Sequence, residues 1–73
     1  MKILSIGDKI AYKLAGEPRK EALVEGIEIC KAGNKYGRAT NMCDLHKHKN
    51  GVVSLSDGHW CYFEQIRSIE KIN

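Results

Sequence analysis

The ten residues EALVEGIEIC, Glu21 to Cys30, constrain the fold more than any other stretch of this chain. Ala22 and Val24 alternate with charged residues, and Ile27 and Ile29 continue the alternation in the opposite phase. Gly26 stands where the phase slips. Alternation of period two marks a half-buried strand, and a slip of phase at glycine marks a bulge or sharp bend. One strand that changes face halfway can serve two sheets, which is how a small barrel turns its corner. A helix over residues 17–30 is the competing reading, because glutamate-rich composition tolerates it. The β-branched Val24, Ile27 and Ile29 around a central glycine favour the strand.

The remaining segments read the same way. In DKIAYKL, Ile10, Tyr12 and Leu14 share one face, and Lys9, Ala11 and Lys13 the other. AGEPRK, with Gly16 and Pro18, is a turn or longer hairpin loop, and KAGNKYGR is a loop. ATNMCDL, VVSL and HWCYF are three short strands, EQI fits only a tight or 3₁₀ turn, and RSIEKI closes the chain as a last strand. The expected fold is all-β: a small barrel of five to six short antiparallel strands, with a short 3₁₀ turn before the last. Residues 1–73 are read as a single domain.

Register decides which side chains meet solvent. Asp57-Gly58 in LSDGHW fits a two-residue type I′ hairpin. That turn sets Leu55 opposite Trp60 and Val53 opposite Tyr62, so these four residues are expected in the core. Cys61, Val52 and Phe63 are then expected on the outer face. For LHKHKNGVVSL, a two-residue turn on Asn50-Gly51 would put Asp44 inside. A three-residue loop over Lys49–Gly51 opposes Leu45 to Leu55, keeps the core apolar and sends His46 and His48 outward. The second is preferred. It also argues against a metal site in C-x-x-H-x-H. Cys43 points inward, and His46 and Cys61 lie two strand spacings apart, about 9.6 Å.

Taken together, GDKIAYKL, VEGIEI, VSLSDG and HWCYFEQIRSI resemble the SH3-like small barrels, especially their Tudor- and KOW-type members. The resemblance runs from about Ile6 to Ile69, with Gly7-Asp8, Val53 to Gly58, and Glu64 to Ile69 at matching places. It implies a binding module, since such barrels hold RNA, DNA, methylated tails, proline-rich peptides or other subunits. With Trp60 and Tyr62 expected inside, only Tyr36 and Phe63 remain as exposed aromatics. That is too few for a methyl-ammonium cage or a proline-peptide groove.

Size and charge narrow the function. A chain of 73 residues buries only roughly 60% of its unfolded surface, which favours surface recognition over an enclosed cofactor pocket. Twelve Lys and Arg against nine Asp and Glu leave a charge of +3, which permits polyanion binding without demanding it. The leading expectation is a non-catalytic module that binds RNA or DNA through two basic loops. Lys31, Lys35, Tyr36 and Arg38 decorate one, and His46, Lys47, His48 and Lys49 the other, with Tyr36 and Phe63 stacking on bases. The alternative is a protein-interaction or self-assembly module using a sheet edge or the apolar patch of Val52, Cys61 and Phe63. No cofactor, metal or catalytic residue is expected. Cys61 beside His59 is the best candidate pair for catalysis, but it lacks a constellation around it. Three cysteines (Cys30, Cys43, Cys61), no basic segment preceding an apolar run and no membrane-length apolar run together point to a reduced, cytoplasmic setting away from membranes.

Overall fold

The computed structural model describes residues 2–30 and 37–72. They form eight strands, all short except the third: β1 (Ile3–Ser5), β2 (Lys9–Tyr12), β3 (Lys20–Ile29), β4 (Arg38–Thr40), β5 (Met42–Asp44), β6 (Gly51–Leu55), β7 (Trp60–Tyr62) and β8 (Ile66–Glu70). A 3₁₀ turn, Phe63–Gln65, precedes β8. The fold is all-β and every strand pairing is antiparallel.

The long third strand organises the molecule as its sequence requires. Its register slips between Val24 and Gly26, so Ala22 and Val24 before the slip and Ile27 after it all point inward. Its first half pairs with β2, and its second half lies between β4 and β6. The hydrogen-bonded path runs β7-β6-β3-β2-β8, and β1 and β5 form a separate ladder. Its two ends, β7 and β8, are joined by the 3₁₀ turn rather than by a ladder. Among the described residues the sheet is therefore not closed into a barrel. The strand number exceeds the expectation by two, because Ile3–Ser5 forms a strand that was not expected and ATNMCDL breaks at Asn41. Its first part pairs with β3 and its second with β1.

Two expected hairpins are corrected. The loop after β6 has three residues, Ser56 to Gly58. Gly58 N donates to Leu55 O at 3.2 Å, and Leu55 N donates to His59 O at 3.0 Å. Gly58 takes the left-handed conformation at φ +84°, and Asp57 does not. This is a type I turn closed by a left-handed glycine, whereas type I′ would need positive φ at Asp57 too. The added loop residue moves the pairing by one, to Ser54↔Trp60, Val53↔Cys61 and Val52↔Tyr62. A one-residue slip exchanges the faces of a strand. Cys61 therefore joins the core, and Trp60 and Tyr62 turn to solvent.

The hairpin expected over Lys49–Gly51 does not form. β5 pairs with β1, Leu4 opposite Cys43, and leaves β6 to pair with β3 and β7. Asp44 ends β5 by starting a turn: its carboxylate accepts from His46 N at 2.9 Å and its carbonyl from His48 N at 3.0 Å. Gly51 lies buried within β6, against the ring of Phe63.

The core gathers Leu4, Ile10, Tyr12, Val24, Ile27, Val53 and Cys61, with Phe63 and Ile66 beside them. Asp8 is a buried carboxylate beneath this assembly. It accepts from Ser5 N at 2.8 Å and from Lys71 Nζ at 2.6 Å, tying the segment after β8 back to β1.

Candidate binding face

Strand β7 is the end of its sheet, and its alternation puts a small thiol inside and two large aromatics outside. Trp60 is 52% exposed and Tyr62 47%. Their rings meet edge to face, with centroids 5.2 Å apart and planes at 88°. In that geometry one ring presents its edge to its neighbour, so its own faces stay uncovered. Across the sheet the pair is flanked by short side chains: Ser54 beside Trp60, Gly26 beside Ser54, and Val52 beside Tyr62.

Trp60 and Tyr62 form one wall of a groove completed by Leu14, Gly58, His59 and Gln65. A second groove, lined by Lys13, Ala15, Glu64 and Arg67, shares Leu14 and Gln65 with the first. The two grooves therefore adjoin at Leu14 and Gln65, one aromatic and the other charged. Gln65 is held in place by hydrogen bonds to the backbone on both sides. Gln65 Oε1 accepts from Tyr62 N at 2.9 Å, and Lys13 N donates to Gln65 O at 3.0 Å. Arg67 Nη1 donates to the Glu64 carbonyl at 2.9 Å. Among the described residues neither Lys13 nor Arg67 is in an ion pair, whereas Lys9, Lys20 and Lys71 each face a carboxylate.

The hairpin that presents Trp60 is anchored from below. The buried Tyr12 hydroxyl donates to Asp57 Oδ2 at 2.5 Å, and His59 N donates to Asp57 Oδ1 at 2.9 Å. Ser56 exchanges bonds with Leu23: its N donates to the Leu23 carbonyl, and its Oγ accepts from Leu23 N, both at 3.0 Å. Burial, helped by the Asp57 carboxylate, pushes the Tyr12 hydroxyl up to about 12. Burial also works against the charge on Asp57. The bonds from Tyr12 and His59 outweigh it and hold that carboxyl below its usual range.

The basic residues expected from the sequence divide. Lys31, Lys35 and Tyr36 lie outside the described residues. Arg38 is exposed at the start of β4, opposite Ile29, and Ile29 in turn pairs with Gly51. His46, Lys47 and Lys49 are exposed and His48 half-buried in the segment that leads into Gly51. Cys30 N donates to Asn50 O at 2.9 Å, so Arg38 and the His46–Lys49 segment meet at the same end of the sheet. Phe63 is not available for stacking: it is only 6% exposed, packed on Gly51. The outer patch expected from Val52, Cys61 and Phe63 is likewise absent, because the latter two are core residues.

The register expected for the hairpin put Trp60 and Tyr62 inside, and no local pattern links Leu14, Lys13 and Arg67 to them. One signal could have found the aromatics: Ser56-Asp57-Gly58 is itself a three-residue loop with glycine last, the solution preferred at Lys49–Gly51.

Cys61 is fully buried, and burial, followed by the Asp57 charge, pushes its thiol up to about 11. It therefore stays protonated at neutral pH, and His59 lies on the exposed side of the hairpin. Cys43 is a core residue while His46 is exposed, and among the described residues no three His, Cys, Asp or Glu side chains converge on a point. No helix among them is long and apolar enough to cross a membrane. Comparison with protein-family models, curated proteins and solved structures found no match to this chain.

Proposed function

We propose that this chain is a non-catalytic, cytoplasmic binding module of SH3-like type that holds nucleic acid on the β7 face. The observation that carries the reading is the solvent-facing Trp60–Tyr62 pair, set beside Lys13 and Arg67, which among the described residues form no ion pair. Aromatic faces take up bases and unpaired cations take up phosphates. The bent β3 shared between two ladders, and a 3₁₀ turn leading into a last strand that returns to β2, support the SH3-like assignment.

A mobility-shift titration with RNA, single-stranded DNA and duplex DNA tests this reading. Binding is expected at low ionic strength and should weaken linearly in log–log coordinates as salt rises. No shift with any of the three, even at the lowest salt, removes the proposal.

A second reading, association with protein or with another copy of the chain, is favoured by a different surface. Met42, opposite Ser5 in the β1–β5 ladder, is 59% exposed, and Ile6, which follows the ladder's end opposite Asn41, is 44% exposed. Gly26, Ala39 and Thr40 line a groove next to Ile6.

A further inference from the structure

We infer, resting on the nucleic-acid reading above, that the ligand is single-stranded and lies along the adjoining grooves from Trp60 and Tyr62 to Lys13 and Arg67. Stacking needs a base whose π-face is open, and in a duplex those faces are covered by neighbouring base pairs. The T-shaped pair leaves ring faces free in a groove that also contains the apolar Leu14. In the adjoining groove stand Lys13 and Arg67, which among the described residues form no ion pair, so one strand can leave a base on the aromatics and lay its phosphates on these two cations. Gln65 lines both grooves. Its carbonyl is taken by Tyr62 N, which leaves its amide N–H groups to donate to a base edge or phosphate. Glu64 also lines the cationic groove, and its carboxylate weakens that groove for any anion. The strand is therefore expected to bind chiefly through stacking, with a shallow salt dependence.

Trp60 is the only tryptophan in the chain, so its fluorescence reports on this groove alone. The experiment titrates the protein with an oligothymidylate of about 15 nucleotides, with a duplex containing it, and with a polyglutamate peptide, following fluorescence and mobility shift together. Quenching by the single strand and not by the duplex is expected. Trp60→Ala should weaken binding by about 5- to 100-fold, with Trp60→Phe close to wild type. Lys13→Ala and Arg67→Ala should each lower the log–log salt slope by about 0.7 while quenching at saturation persists. All three side chains are at the surface, and thermal melts of the variants check that the fold is kept. A mobility shift with unchanged fluorescence and full binding by Trp60→Ala would overturn the groove and leave the nucleic-acid reading standing. Equal quenching by duplex would overturn strand selectivity. Quenching by polyglutamate alone would give the groove to an acidic peptide. Binding of nothing would end both readings.

Discussion

A Cβ at Gly51 would stand 2.2 Å from Phe63 Cζ and 2.6 Å from the Glu28 carbonyl oxygen. Neither neighbour is the far end of a flexible side chain, and the glycine's φ is not in the left-handed region. Close approach, and not a turn, is what requires glycine there. Gly51→Ala should cost about 1–3 kcal/mol by overpacking. The readout is a lower urea midpoint with an unchanged denaturant slope. Gly26→Ala is the control. Its added Cβ would meet only Ser54, at 3.5 Å, and stability should stay within about 0.5 kcal/mol of wild type. The sequence marked both residues as special, but only packing distinguishes a glycine that is needed from one that is tolerated.

The hairpin between β6 and β7 is the element on which recognition depends. Its ties to Tyr12 and Leu23 make it sensitive to pH at both extremes. Asp57 has a folded pKa below its unfolded value. Its contribution is present above about pH 4 and fades as pH falls further. Tyr12 and Cys61 have folded values raised to about 12 and about 11, from 10.0 and 9.0. Their contribution is complete below pH 9.0 and is lost as pH rises toward about 12. Urea midpoints measured across pH should form a plateau that falls at both ends. Tyr12→Phe should lower the plateau by about 1 kcal/mol and remove the alkaline loss above about pH 11. An alkaline limb unchanged in that variant would refute the assignment of Tyr12.

At the scale of the molecule, the two termini of the described chain are drawn together where Lys71 meets the buried Asp8 and the Ile3 carbonyl. Met42 stands exposed in the β1–β5 ladder, and Ile6 is exposed just beyond that ladder's end. If the second reading holds, light scattering at rising concentration should show dimer, and Met42→Glu should return it to monomer. A wild-type chain that remains monomeric at high concentration would count against self-association. The β7 aromatics and the β1–β5 patch lie on different ladders, so variants at one are expected to leave the other's readout unchanged.

Much of the architecture was legible before any coordinates. The phase slip at Gly26 and a short 3₁₀ turn before the last strand, one residue earlier than EQI at Phe63–Gln65, follow from local pattern, because alternation and turn chemistry act within a few residues. Cys43 faces inward as expected, but through pairing with Leu4 and not through the expected hairpin. The candidate site was not legible, since Asp57-Gly58 fits a two-residue and a three-residue loop almost equally well by local preference. Those two solutions place Trp60 on opposite sides of the sheet. Contacts distant in sequence made the choice: Tyr12 holding Asp57, Leu23 holding Ser56, and Cys61 packing in the core. Short-range chemistry determined that this chain is built of strands and where they bend. Only the assembled core determined which of its aromatic residues face water.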